Sequence, residues 1–270
     1  MLCRMYLLRH PDMVHIPYFL AGALVGFIVG MTGNGGGALM TPLLILFFKI
    51  PTPNAIATAL WLAASTKLVA LQVYQKQGQV DWPVAARLWL GSLPIALLTT
   101  LKIYTHPTTI KVAYLTKAVG GIVLCTAIGM LFSSKLVALA KKKSSAAQVS
   151  GPLQTSATIL AGALLGVLVA LTSVGAGTLG TVLLTLLYPI RMTPKRLVAT
   201  DIAHAIPLAT VSGIGYVVAG QLDHYLFVHL LAGALPGAIG GGLLAQHLPG
   251  RLLKRYVAFV LIGLALQMLL

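Results

Sequence analysis

The 36 residues from Met13 to Phe48 contain no Asp, Glu, Lys or Arg, and in their middle stands TGNGGGALMTP, Thr32 to Pro42. As one straight helix they would extend roughly 54 Å, against a bilayer hydrocarbon core of about 30 Å. A run this apolar belongs in lipid, yet it is too long to cross once. The chain has to break, and four glycines, an asparagine and a proline mark the place.

The remaining sequence keeps to the same regime. Of 270 residues 58% are hydrophobic and 9% charged, and the mean hydropathy is +0.92, values that exclude a soluble globular protein and indicate a polytopic membrane protein. Nineteen Lys and Arg face four acids, Asp12, Asp81, Asp201 and Asp223, for a formal charge of +15. Most of these charges lie in short gaps between apolar runs, where they orient segments and meet anionic lipid; nucleic acid is not an expected partner. Cys3 and Cys125 have neither metal-ligand nor disulfide spacing and read as packing residues.

AGALVGFIVGMTGNGG from Ala21 is answered by AGALLGVLVALTSVGAG from Ala161, which makes the first apolar run half of an internal repeat rather than a cleaved signal peptide. The residues before it, MLCRMYLLRHPD, have no counterpart, and Met13 is an alternative start. At an offset of 140 Gly35 meets Gly175 and Gly37 meets Gly177; at 142 Thr58 meets Thr200, GQVD (Gly78 to Asp81) meets GQLD (Gly220 to Asp223), and GSLP (Gly91 to Pro94) meets GALP (Gly233 to Pro236). The chain therefore divides into a first membrane repeat, residues 1–134, a basic linker with turn-forming residues, 135–152, and a second repeat, 153–270.

Each half offers five apolar segments: 16–32, 36–48, 54–76, 82–103 and 110–133, then 156–172, 176–189, 194–218, 224–246 and 252–270. The second of each set is short enough to be a half-helix or a re-entrant one. With five crossings per half, one side collects eleven cations including Lys76, Lys135, Lys141 to Lys143, Arg191 and Arg196, and the other collects five, Arg4, Arg9, Lys49, Lys102 and Lys111. Arg87 and Lys117, slightly inside their segments, add one to each side. Four crossings per half would set seven against nine. The biased split favours inverted repeats with the linker in the cytoplasm. The expected fold class is an all-α polytopic membrane protein of 8 to 10 segments, two homologous halves with a glycine-broken helix in each.

Gly33, Gly35, Gly36 and Gly37, with Asn34 among them, permit positive φ and close backbone approach, so N–H groups are exposed without side chains in the way. In hydrocarbon such groups need a partner, and the half-helix that follows aims its positive end at the same point. That makes an anion site. The break recurs as SVGAG, Ser173 to Gly177, and broken helices at matching places in two halves point to a transport site. GAIGGG, Gly237 to Gly242, reads instead as tight helix packing.

GMTGNGGGALMTPLL, TALWLAASTKLVALQVYQKQGQVDW and VATDIAHAIPLATVSGIGYVVAGQLD resemble the TauE/SafE sulfite-exporter family, also called the 4-toluenesulfonate uptake permease family, over nearly all of the chain from Ala21. The resemblance implies an integral membrane carrier for sulfite, sulfonates or related sulfur-containing anions. The second break, GAGTLGTVLL, lacks the proline that Pro42 supplies in the first, which is a departure from equal roles for the two.

Few ionisable residues lie inside segments. Lys67 sits nine residues, roughly 13 Å, from the segment end at Lys76, a long reach for snorkelling, while Asp201 and His204 share one face of the repeat-related segment. An inverted arrangement brings all three to similar depth, where Lys67 offers charge to an anion and Asp201 and His204 can exchange a proton; the alternative is a capping or packing pair. Asp81 and Asp223 precede helices and read as N-caps, with Trp82 an interfacial anchor. His224 and His229 lack carboxylate neighbours, and no metal or cofactor motif is found.

These features describe a secondary carrier of small anions working by alternating access around a site made of Gly33, Asn34, Gly35, Gly36, Gly37, Lys67, Ser173, Gly175 and Gly177, with Asp201 and His204 for proton coupling. Its setting is the cell membrane, the inner one in a Gram-negative source, and its partners are a small anionic substrate and the lipid bilayer. A passive anion channel is the alternative. A membrane-embedded enzyme is poorly served by four Asp, no Glu and no nucleophile arrangement, and no ATP-binding P-loop is present.

Overall fold

A computed structural model describes residues 11–32, 37–76, 78–105, 112–144, 151–175, 177–244 and 250–270. Among them are ten helices and no strand: α1 Pro11–Thr32, α2 Gly37–Leu46, α3 Thr52–Lys76, α4 Trp82–Thr105, α5 Val112–Ser144, α6 Pro152–Thr172, α7 Thr178–Leu187, α8 Pro194–Val218, α9 His224–Leu244 and α10 Gly250–Leu269. Six are long and apolar enough to cross a membrane, within Thr52–Gln72, Trp82–Ile103, Tyr114–Phe132, Pro152–Thr172, Pro194–Val218 and His224–Leu244, and shorter apolar stretches lie at Ile16–Met31, Thr178–Leu187 and Arg255–Leu269. Leu90, Leu97, Leu98, Leu160 and Val228 are exposed, as side chains facing lipid would be.

Local chemistry sets the boundaries. Pro152 and Pro194 open α6 and α8, where a missing N–H costs nothing, and Thr193 caps α8 by accepting the Arg196 N–H at 3.3 Å. Asp223 Oδ1 accepts the Leu226 N–H at 3.1 Å and caps α9. The fifth segment, expected to end at 133, continues as α5 into the basic linker as far as Ser144, because KLVALAKKK consists of good helix formers and the first glycine–proline stop is Gly151–Pro152. One expectation needs correction: Cys125 is exposed rather than packed, while Cys3 lies outside the described residues.

The halves interleave. α1 packs on α9 and α4 on α6, so the first helix of each half lies on the fourth of the other; α3 packs on α8 and α5 on α10, each a repeat-related pair. The first two contacts are made by glycine. A side chain at Gly22, Gly26 or Gly30 would strike the backbone carbonyl of Leu230, Ala234 or Ala238, and Gly237 and Gly241 from GAIGGG approach Ala23 and Phe27 in return, so α1 and α9 run parallel with backbones nearly touching. Gly162 against Leu88 and Gly166 against Ser92 show the same parallel course for α6 and α4.

α3 and α8 run oppositely: Lys67 meets Asp201, whereas Trp61 meets Gly213. Both are deeply buried, with Ala55, Ile56, Leu60 and Leu62 on one and Ile202, Ala205, Leu208 and Tyr216 on the other. α4 accompanies α8 in parallel, Ser92 beside His204 and Thr100 beside Gly215. Lys67 of α3 and Asp201 and His204 of α8 are therefore buried among neighbouring helices.

Candidate functional site

Lys67 and Asp201 project from antiparallel α3 and α8 into one sealed place, with side chains 6% and 4% exposed. Lys67 Nζ lies 3.9 Å from Asp201 Oδ2, an ion pair too long to be a hydrogen bond. His204, one turn along α8, is fully buried; its Nε2 hydrogen-bonds Ser92 Oγ at 3.0 Å, and its backbone carbonyl accepts the Trp89 indole N–H at 3.3 Å. Among the described residues no group makes a well-aligned hydrogen bond to Asp201 Oδ1 or His204 Nδ1, and the Gly177 backbone is the near donor to the Asp201 carboxylate. A buried carboxylate with one long ion pair and a single backbone donor from Gly177 is costly unless its work requires the freedom.

The second glycine break meets this pair. α6 ends at Ser173, left-handed at φ 57°, and the chain passes through Gly175 at φ 120° and Gly177 at φ 125° before α7 begins. Such values favour glycine; the Gly180 N–H is already taken by the Gly175 carbonyl at 3.2 Å, and the Gly177 backbone N–H is left to the Asp201 carboxylate. Asp201 occupies that end: a side chain at Gly180 would collide with its Oδ1, and the Gly177 backbone lies beside it. The positive terminus of α7 thus faces a resident carboxylate.

Of the other expected residues, Gly33, Asn34, Gly35 and Gly36 lie outside the described residues, and Gly37 begins α2. Thr41 of α2 hydrogen-bonds Ser173 Oγ at 2.5 Å, so the helix after the first break touches the second. Lys67, Asp201 and Gly177 come together across both halves, with His204 one turn from Asp201 and within electrostatic reach of Lys67, while Ser173 is placed by its bond to Thr41. Among the described residues no group of three His, Cys, Asp or Glu is arranged to hold a metal ion.

Asp81 departs from its expected role as a simple N-cap. Its carboxylate, with no exposed surface, takes Arg191 in a two-pronged contact, Nε to Oδ2 at 2.7 Å and Nη2 to Oδ1 at 2.9 Å, with Arg196 Nη2 at 3.3 Å. Its backbone N–H donates to Thr200 Oγ1 at 3.0 Å. The arginines overrule the cap because a planar guanidinium satisfies both carboxylate oxygens at once.

The sequence counts Arg191 and Arg196 only among the orienting cations and meets Ser92 only within the GSLP repeat. A signal for Ser92 existed in the repeat: at offset 142, Asp201 replaces Ala59, His204 replaces Leu62, Lys67 is answered by Ala209 and Ser92 by Ala234. Each polar member of the site stands where the other half has a small or apolar residue.

The family described as sulfite exporter TauE/SafE matches residues 18–268. Probable membrane transporter protein YjnA of Bacillus subtilis is 32% identical over 93% of this chain and 96% of its own length. Probable membrane transporter protein YdhB of the same organism is 28% identical over 86% and 90%, and probable membrane transporter protein MJ0441 of Methanocaldococcus jannaschii 24% over 76% and 74%. No solved structure matches.

Proposed function

The chain belongs to the sulfite exporter TauE/SafE family, a family of membrane transporters, and from that premise we propose that it is a secondary carrier of small sulfur-containing anions such as sulfite or organosulfonates, working by alternating access. The observation that carries this reading is the Lys67–Asp201 pair set against the N-terminal end of α7. Lysine and helix terminus together form an anion site, and Asp201 is a tethered anion within it.

Protonation of Asp201 removes its charge and releases Lys67 and the α7 terminus to an arriving oxyanion; departure of that anion restores the pair. Anion and proton then move together, because an uncompensated Lys67 in this setting is costly. His204, steered by Ser92, is the relay through which the proton reaches or leaves Asp201.

The halves are read as inverted repeats, with the linker on the cytoplasmic side. The opposite courses of the repeat-related α3 and α8 support this reading, as does the eleven-to-five charge split.

The test is flux into proteoliposomes holding the purified protein, with sulfite, sulfate, thiosulfate and a sulfonate, with and without an imposed proton gradient. A carrier of this kind accumulates at least one of them above its external concentration when the gradient is present. Flux that only equalises concentrations identifies a passive anion channel, and no flux of any of the four removes the substrate assignment.

A further inference from the structure

The two repeat-related turns GQVD and GQLD have the same backbone, with Gly78 at φ 63° and Gly220 at φ 69°, each N–H bonded three residues back, Gly78 to Gln75 and Gly220 to Val217. Their aspartates nevertheless differ. Asp81 is sealed under Arg191 and Arg196 from the other half of the chain, and Thr200 Oγ1 accepts its N–H. Asp223 is exposed, caps its own helix, and among the described residues takes no ion pair.

At the 142-residue offset that superposes these turns, Thr200 falls on Thr58 and Arg191 on Lys49. Thr58 Oγ1 is fully buried and has no hydrogen-bond partner among the described residues, and Lys49, exposed at φ 53°, forms no ion pair with Asp223. One end of the molecule thus has aspartate, threonine and cation engaged, and the other has the same three kinds of group apart. An orphaned hydroxyl at the position of a working one is the informative part, since buried hydroxyls are normally paired.

Resting on the carrier reading above, we propose that Asp81, Arg191, Arg196 and Thr200 form the lock that closes the linker-side end of the transport path, and that Asp223, Lys49 and Thr58 form its counterpart at the other end when the first releases. The placement fits a gate. The lock joins α4 of one half to α8 of the other, Val80, Ala199 and Ala203 make a buried apolar plug beneath it with Leu71 packed alongside, and Asp201 follows Thr200 directly. Motion of α8 that carries Asp201 away from Lys67 also draws Thr200 and Arg196 from Asp81, which couples site and gate through one rigid element. The counterpart is the weaker lock: Lys49 offers no bidentate fork, and Asn54 stands where Arg196 does in the repeat. The linker-side-closed state is therefore the resting one.

The experiment uses the full chain with Cys3 and Cys125 replaced by serine, purified in detergent, with a charged maleimide as probe and a single reporter at either matched position, Val80→Cys or Leu222→Cys. Otherwise native protein should label Leu222→Cys faster. Asp81→Asn, or Arg191→Gln should the first variant fail to fold, should raise the rate at Val80→Cys about tenfold, the effect of about 1.4 kcal/mol on the equilibrium, and lower that at Leu222→Cys. Adding Thr58→Val to Asp81→Asn should return Val80→Cys towards its native rate, because the second lock has lost its hydroxyl, whereas Thr58→Val alone should leave the melting temperature unlowered. Unchanged rates in both lock variants, or a melting temperature lowered by Thr58→Val as much as by Thr200→Val, overturn the proposal. Anion flux in proteoliposomes is scored separately: labelling shifts without flux leave the lock standing and remove the carrier, and flux without labelling shifts does the reverse.

Discussion

Thr41 and Ser173 share a buried hydrogen bond of 2.5 Å although 132 residues separate them. One belongs to the short helix after the first glycine break and the other is the left-handed residue that opens the second. The bond therefore ties the short helix α2 to the irregular backbone after α6, and such backbone in a membrane is tolerated only when protein or a lined cavity surrounds it.

Either partner alone should be poorly tolerated when its hydroxyl is removed. Thr41→Val or Ser173→Ala leaves the other hydroxyl buried and unpaired, at a cost of about 1–3 kcal/mol, while the double variant leaves none. Thermal unfolding of the purified protein should show the double variant less destabilised than the sum of the singles. Strict additivity would mean that the two hydroxyls do not depend on each other.

Gly180 and Gly129 should respond oppositely to the same change. Ala at Gly180 drives a methyl into Asp201 Oδ1, whereas Ala at Gly129 meets nothing within 4 Å. Gly180→Ala is expected to reduce anion flux at least about tenfold by displacing the carboxylate from the α7 terminus. Gly129→Ala should keep flux and gain up to about 1 kcal/mol from helix propensity and a stiffer unfolded chain. Equal flux in the two variants would separate Asp201 from the transport site.

Much of this arrangement is legible in one dimension because membrane segments announce themselves by length and charge. The ten segments, the two breaks and the repeat follow from apolar runs, glycine and matched offsets, and the helix boundaries fall mostly within a few residues of those expectations. What spacing cannot carry is azimuth. Lys67 and Asp201 can be assigned similar depth from residue counts, but only packing of α3 on α8 turns them toward each other. Asp81 misleads for a related reason: a carboxylate before a helix reads as a cap, and the arginines that capture it are more than one hundred residues away along the chain. Lys135 to Lys143 read as part of a linker from their charges and the small, turn-forming residues that follow, yet the helix runs on to Ser144 because lysine, leucine and alanine extend a helix readily.

The side on which the linker lies can be measured directly. Cysteines placed at Lys142 or at Ser150 in a protein without Cys3 and Cys125 should resist an impermeant maleimide applied to intact cells and react once the membrane is opened. Equal labelling before and after opening would put the linker outside and reverse every sidedness assigned above.

Lys67 and Asp201 should fail in distinguishable ways, because one supplies attraction to the anion and the other supplies competition with it. Lys67→Met deletes the cation and leaves Asp201 buried against the α7 terminus alone; breaking such a pair costs about 3–5 kcal/mol unless the carboxylate takes up a proton, and either way anion binding should fall by a hundredfold or more. Asp201→Asn keeps the cation and removes the tethered competitor, so binding measured by calorimetry should be retained or tightened. Its effect appears in pH dependence instead. In the native protein, flux should rise as pH falls, since protonating Asp201 frees Lys67 for the substrate; in Asp201→Asn the carboxamide imitates the protonated state at every pH and the slope should disappear. A Lys67→Met, Asp201→Asn double variant removes both charges, should fold better than Lys67→Met alone, and should transport nothing. A pH slope that survives Asp201→Asn would move the proton role to His204 or elsewhere, and tight anion binding by Lys67→Met would remove the lysine from the site.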